Sequence, residues 1–251
     1  MRQAGRIVRR VLNVLTAMAA PGVTTKELDA EAERLCLAAG AECLFKGVPG
    51  RGGAGPFPGC ICASMNEQVV HGIPSARAIR NGDLVSLDFG VRVDGWCGDA
   101  AVTIPVGNVM GETRRLAEVT RHALEIATSM IRPGERWSRV ARAMQSYVEG
   151  QGYSVVREFV GHGIGSEMWE DPKLPNFVSR ELEMHDIVLA KGMVLAVEPM
   201  VNMGSPGVEY EADGWTVVTR DRLPSAHFED TLAVTGSGVR VLTAAKDEVQ
   251  R

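Results

Sequence analysis

The chain has 251 residues, of which 45% are hydrophobic and 23% are charged, and its formal net charge is −4 at pH 7. This length is enough for a sizeable core within one large domain, and the composition is that of an ordinary soluble globular protein. The acidic balance argues against a general nucleic-acid binder or a protein that binds anionic membranes. No apolar run reaches the roughly 20 residues that a membrane span needs.

The first 20 residues, MRQAGRIVRRVLNVLTAMAA, combine basic residues, an apolar stretch and small residues, as a secretory signal does. An amphipathic helix is the favoured alternative, because Asn13 and Thr16 interrupt the apolar stretch. The apolar face of that helix would consist of Ile7, Val11, Leu12, Leu15 and Met18.

This first helix belongs to a repeated pattern of two helices, whose copies lie 112 positions apart and align without a gap. Each copy predicts a helix, a Pro-Gly break, a second helix and a glycine stop. Thr24 and Glu27 form a capping-box pattern for the second helix of the first copy. The matching positions are Ile7, Leu12, Val14, Met18, Pro21, Gly22 and Gly40, which fall on Val119, Leu124, Ile126, Met130, Pro133, Gly134 and Gly152.

Strand patterns follow the helices in both halves. The first half has CICASMN, QVVHGIP, LVSLDFGVRV and WCGDAAVTIPV, and the second has VVREFVGHGIG, MVLAVEPMV, WTVVT and DTLAVTG. We therefore predict an α+β fold with pseudo-twofold symmetry, in which helices cover one face of a sheet of antiparallel strands. We expect a single domain over residues 1–251, with internal halves at about 1–110 and 111–251.

Five cysteines stand at positions 36, 43, 60, 62 and 97, an odd number without a paired spacing. This usage is typical of reduced thiols in a cytosolic protein, and we expect a cytoplasmic location. Cys60 and Cys62 lack a second pair, which argues against a structural zinc site.

Two acidic residues fall on one face of a predicted hairpin in SLDFGVRVDGWCGDAAV. Asp94-Gly95 is a strong two-residue turn signal, and a turn there would place Gly90 opposite Asp99. Asp88 shares the face of Gly90, so Asp88 and Asp99 would be diagonal neighbours about 7–8 Å apart at the backbone. Two solvated carboxylates are the plainer interpretation, but the surrounding residues are apolar. Carboxylates that are packed together repel each other unless a cation or proton intervenes.

The second half adds two acids in apolar segments, Glu198 in VLAVEPMV and Glu229 in SAHFEDTLAV, and the glycine-flanked His162. One such glutamate alone would most often be a structural hydrogen-bonding residue. Four carboxylates and one imidazole together suit a pair of divalent first-row transition ions, which would neutralise the acids and acidify a bridging water.

In their order along the chain, these residues and their surroundings resemble the type I methionine aminopeptidases of the pita-bread, M24-type metallopeptidase family. The resemblance covers nearly the whole chain, and its ordered set of motifs is highly specific. The motifs are MRQAGR, NEQVVHGIP, GDLVSLDFG, GWCGDAAVT, GHGIG, VEPMVN, DGWTVVT and SAHFEDT.

The resemblance implies a metallo-aminopeptidase that removes N-terminal methionine from peptides or nascent chains by means of a metal-bound hydroxide. Glu198 would also shuttle protons, and His71 would bind the substrate amide and assist the leaving nitrogen. The resemblance implies two divalent ions (Fe, Mn, Co or Zn) held by Asp88, Asp99, His162, Glu198 and Glu229. The substrate site would include His71, Phe57, Cys62, Met168, Trp169 and Trp215. We expect a monomer without nucleic-acid or membrane binding, and the ribosome is a candidate partner.

Three departures from the family pattern bear on activity. Trp169 stands where the family usually has a histidine that donates to the scissile carbonyl, and Asp230 replaces a histidine after the last glutamate. A glycine-rich insertion, KGVPGRGGAGPFPG at 46–59, lies where the family shapes its methionine pocket. An X-Pro aminopeptidase or prolidase is therefore an alternative, as is a weakly active or non-catalytic metal-binding protein. GHGIG also resembles part of a dinucleotide fingerprint, but the rest of that pattern is absent.

Overall fold

The computed structural model describes residues 1–50 and 52–244; Arg51 of the insertion and residues 245–251 of the expected second half lie outside the described residues. The described helices are α1 Arg2–Met18, α2 Thr25–Ala38, α3 Gly111–Met130, α4 Trp137–Gly150 and the short α5 Arg180–Met184. The described strands are β1 Glu42–Cys43, β2 Cys62–Met65, β3 Gln68–Val70, β4 Leu84–Val93, β5 Trp96–Pro105, β6 Ser154–Val155, β7 Gly161–Gly163, β8 Glu170–Leu174, β9 Val194–Val197, β10 Met200–Asn202, β11 Val208–Tyr210, β12 Val217–Thr219, β13 Ser225–His227, β14 Asp230–Val234 and β15 Val239–Val241.

The predicted repeat is confirmed at the level of whole helices. Helix α1 ends at Met18 and α3 at Met130, while α2 and α4 begin and end 112 positions apart. The glycines that match between the copies all have left-handed backbone conformations, which explains why glycine stands there. Their φ angles are 97° at Gly22, 84° at Gly134, 65° at Gly40 and 87° at Gly152.

The starts of α1 and α2 follow the sequence prediction. The N-terminal segment is a helix, and of its predicted apolar face Val11, Leu12 and Leu15 are buried, while Ile7 and Met18 are partly buried. At α2, Thr24 Oγ1 accepts from the Glu27 N–H at 3.2 Å, and Glu27 Oε2 accepts from the Thr24 N–H at 2.8 Å. The capping box is thus formed, and it satisfies N–H groups that the first turn of a helix leaves unpaired.

The hairpin of β4 and β5 forms the centre of the first half. Its turn residues Asp94 and Gly95 have φ of 50° and 77°, and Gly90 pairs with Asp99 as the turn signal predicts. On its other edge β4 pairs with β1 near Val91 and with β2 between Val85 and Asp88. The strands β1 and β2 therefore lie one after the other along the same edge of β4.

In the second half, two segments that we expected to be single strands are divided. Residues 155–165 contribute to β6 and β7, and residues 193–201 contribute to β9 and β10, which lie in different sheets. Pro199 explains the second division, because proline lacks the N–H that would continue a strand ladder. The larger sheet of this half has the order β15-β14-β9-β7-β8.

Each half has its own core beneath its helix pair. In the first, buried residues of α1 and α2 such as Leu12 and Leu28 cluster with Phe89 of β4. In the second, Trp137 of α4 is fully buried and its Nε1–H donates to the Pro175 carbonyl at 2.8 Å. These two cores hold the strands that carry the acidic residues in fixed register.

The expectation of reduced thiols is wrong for two cysteines. Cys43 and Cys60 form a disulfide, with Cα atoms 5.4 Å apart, inside the usual range for such bonds. They meet because β1 and β2 follow each other along β4, so the chain between them leaves the sheet edge and returns to it. In the described part of the chain Cys36, Cys62 and Cys97 are free and buried.

The described helices include none that is both long enough and apolar enough to cross a membrane.

Candidate metal centre

Asp88 and Asp99 are brought together by the register of the β4–β5 hairpin. Asp88 pairs with Ala101, and Asp99 pairs with Gly90, so the two aspartates are diagonal neighbours on one face, as the sequence predicts. Asp99 is only 2% exposed. A Cβ added at Gly90 would stand 3.2 Å from Asp99 Oδ1, which shows how closely the strand approaches this carboxylate.

Glu229 reaches the same place through the contact between the two halves. The backbones of Glu229 and Ala101 exchange two hydrogen bonds, at 3.0 and 3.3 Å. Thr231 adds a second contact between the two halves. Its hydroxyl accepts from the Asp99 N–H at 3.0 Å and donates to the Asp99 carbonyl at 2.7 Å. The site is therefore built across the pseudo-twofold interface, with carboxylates from both sides.

His162 is held on β7, where glycines permit close packing of neighbouring strands. A Cβ at Gly161 would lie 2.4 Å from the Ala196 carbonyl oxygen, and a Cβ at Gly163 would lie 2.2 Å from that of Asp171. The His162 Nδ1 is 2.8 Å from the Gly163 carbonyl oxygen, an acceptor, so Nδ1 carries the proton. The free electron pair is then on Nε2, the tautomer that a metal ligand requires.

Glu198 stands between two imidazole rings. Its Oε1 is 3.7 Å from His162 Nε2, and its Oε2 is 3.7 Å from His227 Nε2. It follows β9 directly, and its carbonyl accepts from the Asn176 side chain at 3.0 Å. This main-chain contact fixes the position at which the chain leaves the sheet.

Burial and mutual repulsion of the carboxylates determine the electrostatics of the cluster. Burial, and then repulsion from Asp99 and Glu198, raises the pKa of Asp88 well above its usual range. Burial raises the pKa of Asp99 to about 7, and burial with neighbouring carboxylates raises those of Glu198 and Glu229 well above the ordinary value. Burial lowers the pKa of His162, which keeps its ring neutral.

The donor set fits divalent transition ions. Among the residues that the structure describes, Asp88 Oδ1, Asp99 Oδ1 and Glu229 Oε1 are buried without a hydrogen-bond partner. Ligand atoms of Asp99, His162 and Glu229 lie within 4.8 Å of one another. Buried acceptors without donors, beside a neutral imidazole nitrogen, call for a cation.

An apolar wall borders this cluster and contains the residues expected to bind the substrate side chain. Phe57, Cys62 and Met168 are buried in one cluster, against which Trp215 packs. The Trp215 Nε1–H donates to the Gly55 carbonyl at 2.9 Å, which attaches the glycine-rich insertion to the second half. The wall reaches the carboxylates at Gly90, where a Cβ would stand 3.3 Å from Met168 Cε.

His71 lies beside that wall in a left-handed conformation, with φ of 58°. Its ring centroid is 5.4 Å from that of Phe159 and 6.5 Å from that of Trp215, both edge to face. A left-handed backbone at a non-glycine residue is uncommon and concentrates at functional sites.

The two positions at which a family histidine is replaced differ in their surroundings. Trp169 is 57% exposed, although its neighbour Met168 is buried in the wall. Asp230 accepts from Arg9 of α1 at 3.0 Å and from the Thr243 hydroxyl at 2.5 Å. Asp230 thus ties the first helix to the strand that carries Glu229.

Three residues at the site were missed in the sequence analysis: His227, Thr231 and Phe45. His227 is 2% exposed and faces Glu198, Thr231 bridges Asp99, and Phe45 belongs to the apolar wall. The sequence offered a signal for His227 and Thr231, which lie two positions before and after Glu229. Alternate residues of a strand share a face, so these polar residues could have been predicted to lie beside Glu229.

Fold and site together define a metallopeptidase with a carboxylate-rich centre between two related halves. Residues 1–236 match the model of metallopeptidase family M24, and the chain belongs to this family. Methionine aminopeptidase 1 of Bacillus subtilis is 46% identical over 243 residues, covering 97% of this chain and 94% of that protein.

Solved structures place the fold within the pita-bread group that the sequence predicts. The crystal structure of methionine aminopeptidase from Thermotoga maritima has a TM-score of 0.91 at 39% identity, covering 98% of this chain and 95% of that one. Prolidase from Pyrococcus furiosus has a TM-score of 0.76 at 22% identity; the match covers 98% of this chain and 63% of the prolidase, and shows the shared fold alone. The X-Pro alternative is therefore not favoured.

Proposed function

We propose that this chain is a metallo-aminopeptidase that removes N-terminal methionine and that its metal centre is held by five side chains. These are Asp88, Asp99, His162, Glu198 and Glu229. The observation that carries the proposal is the convergence of buried, unpaired carboxylate oxygens and a neutral imidazole at the seam between the halves. Full-length similarity to methionine aminopeptidases supports the reaction.

The proposed cofactors are two divalent ions of Fe, Mn, Co or Zn, and such ions supply Lewis acidity and acidify water when bound. The proposed ligands Asp99 and Glu229 are each 2% exposed, so the protein shields this part of the metal site from solvent. Glu198 is assigned a second role as a proton shuttle, since a carboxylate beside the reacting water can accept a proton and pass it on. His71 is assigned to the substrate amide, where an imidazole N–H can donate to the leaving nitrogen.

The proposed specificity is for methionine at the first position, followed by a small residue. Phe57, Cys62, Met168 and Trp215 form an apolar surface of polarizable and aromatic groups that suits a thioether side chain. Trp169, exposed beside this wall, is proposed to face the scissile carbonyl.

Peptides and nascent-chain N-termini are the proposed substrates. The cytoplasm, where such chains are made, is the proposed location, and the Cys43–Cys60 disulfide is an uncommon feature for a protein of that compartment. A single domain over 1–251, with halves at about 1–110 and 111–251, accords with a centre whose ligands come from both halves. A monomeric state and a ribosome contact stay predictions from the sequence.

A cleavage panel tests the function. Peptides Met-Ala-X, Leu-Ala-X and X-Pro-Y are incubated with protein loaded with each of the four metals, and released amino acids are quantified. We expect methionine release to be fastest. Faster release of leucine, or of the residue before proline, would overturn the proposal.

Variants test the ligand assignment separately. Asp88→Asn and Asp99→Asn should sharply lower the metal content measured by elemental analysis, because each removes a negative ligand. Glu33→Gln, which changes a half-exposed carboxylate of α2 that pairs with Lys46, is the matched control. Unchanged metal content in both aspartate variants would contradict the assignment.

A further inference from the structure

His227 is a buried side chain that the proposed reaction does not yet use. His227 is the last residue of strand β13 and is 2% exposed. In the described part of the chain its Nε2 has no hydrogen-bond partner. A buried ring nitrogen without a hydrogen-bond partner is destabilising, so a polar group is expected to face it.

The backbone of His227 is fixed by the first half of the chain. The Thr103 hydroxyl on β5 donates to the His227 carbonyl at 2.7 Å and accepts from the His227 N–H at 2.9 Å. Ser86 on β4 lies 2.8 Å from the same hydroxyl and completes the chain of contacts. The ring therefore projects from a rigid strand that is held on both sides, which is the support that a precise contact requires.

Glu198 is the acidic group that His227 faces. Its Oε2 lies 3.7 Å from His227 Nε2, while its Oε1 lies 3.7 Å from His162 Nε2. These two contacts differ in kind, because the Nδ1 proton of His162 leaves a free electron pair on its Nε2. Oε1 and His162 Nε2 are thus two acceptors that need a cation between them, whereas Oε2 is free for a hydrogen-bond donor.

We propose that His227 is the positioning residue of Glu198: its Nε2–H donates to Oε2 and leaves Oε1 directed at the metal. This inference rests on the proposed function. Ligating carboxylates are generally held by such outer hydrogen bonds. The 3.7 Å separation is longer than a hydrogen bond, and contacts of this kind tighten when the site is filled.

The experiment compares three substitutions in the full-length protein. His227→Gln keeps an N–H near the position of Nε2, His227→Asn has a donor that is too short to reach Glu198, and His227→Leu has no donor. Metal affinity is measured by titration calorimetry with Mn²⁺ or Co²⁺, and kcat and KM are measured separately on Met-Ala-type peptides. The same exchanges at His122, half-exposed on α3, serve as controls.

We expect His227→Leu and His227→Asn to lose about 10–100-fold in metal affinity and in kcat, with little change in KM, and Gln to restore both. Thermal unfolding of the metal-free variants identifies any that fail to fold. If His227→Leu fails to fold, the comparison of His227→Gln with His227→Asn tests the proposal. Equal losses in Gln and Leu would overturn the proposal. So would an effect on KM alone, which would assign His227 to substrate contact.

Failure of the proposed function has a different signature. If the wild-type protein binds metal but cleaves no methionyl peptide, the reaction is wrong, while the Gln-against-Leu difference in metal affinity still decides the role of His227.

Discussion

The Thr231 hydroxyl on β14 bridges the backbone of Asp99 on β5, accepting from its N–H at 3.0 Å and donating to its carbonyl at 2.7 Å. Both residues are buried, with exposures of 0% and 2%. A single side chain thus joins the two halves at one of the residues that would hold the metal ions.

Thr231→Val should destabilise the fold and weaken metal binding. Valine has the shape of threonine but leaves the Asp99 N–H and carbonyl without their partner, a loss of about 1–3 kcal/mol. Chemical denaturation measures the free energy of unfolding, and calorimetry measures metal affinity. Thr120→Val is the matched control, because Thr120 is equally buried but bonds only the Leu116 carbonyl within α3. Equal losses at the two positions would contradict a special role for the bridge.

The register of Asp88 and Asp99 could be predicted because a local signal determines it. Asp94-Gly95 fixes the turn, and the two-residue period of a strand then places every partner along the hairpin. The helix repeat could be predicted for the same reason, since caps, glycine stops and apolar periodicity are all local.

Contacts between distant strands could not be predicted in this way. Glu198 faces His227 only because β9, β10 and β13 are placed by tertiary packing, and Cys43 meets Cys60 only because β1 and β2 share an edge of β4. The sequence spacing of Glu198 and His227, or of Cys43 and Cys60, does not predict that the two residues are in contact. The family resemblance supplied the ligand set, but it carried no information on residues such as His227.

The metal-free protein should lose stability as the pH rises from about 4 to 7. Burial raises the folded pKa of Asp99 to about 7 from an ordinary value of 3.8, so the unfolded chain releases this proton first. The folded state then binds more protons, and the free energy of unfolding falls with pH over that window. Asp88, Glu198 and Glu229, whose pKa values are also raised, act in the same direction.

Denaturant unfolding of the metal-free protein across this pH range measures the effect. Asp99→Asn should flatten the slope, while Glu33→Gln should leave it unchanged. Saturating metal should reverse the trend, because metal binding requires deprotonated ligands. A metal-free protein that gains stability over this range would contradict the raised pKa values.

Reduction of the Cys43–Cys60 disulfide should loosen the apolar wall that is proposed to bind methionine. The bridge, with a sequence separation of 17, closes a loop that carries Phe57 of the apolar wall and the Gly55 carbonyl that accepts from Trp215. A bridge over a loop of this length contributes about 3 kcal/mol in the chain-entropy account. We therefore expect reductant to lower the free energy of unfolding and to raise KM for methionyl peptides, with a smaller change in kcat.

The control for this prediction is the double variant Cys43→Ala, Cys60→Ala, whose KM should not respond to reductant. Thiol titration under denaturing conditions should count three thiols in the oxidised wild type, matching the free Cys36, Cys62 and Cys97. Five thiols before any reductant is added would show that the bridge does not form.

Trp169→His should raise turnover on Met-Ala-type peptides and leave metal affinity nearly unchanged. The resemblance places a histidine at this position as donor to the scissile carbonyl, and one such donor is worth about 10²–10³ in turnover. The indole N–H donates from a larger ring with a different reach, so we expect it to replace the imidazole imperfectly. Because Trp169 is 57% exposed, substitution there should change stability by no more than about 0.5 kcal/mol, and kinetic changes can be interpreted directly.

Trp169→Phe separates the donor from the bulk of the ring, because phenylalanine keeps an aromatic side chain and has no N–H. Steady-state kcat and KM for wild type, Phe and His variants, each saturated with the same metal, decide the role. If Phe equals the wild type, the indole N–H has no part in turnover. If His lowers kcat, the tryptophan is a positive feature of this pocket, and the interpretation of Trp169 as an imperfect donor is wrong.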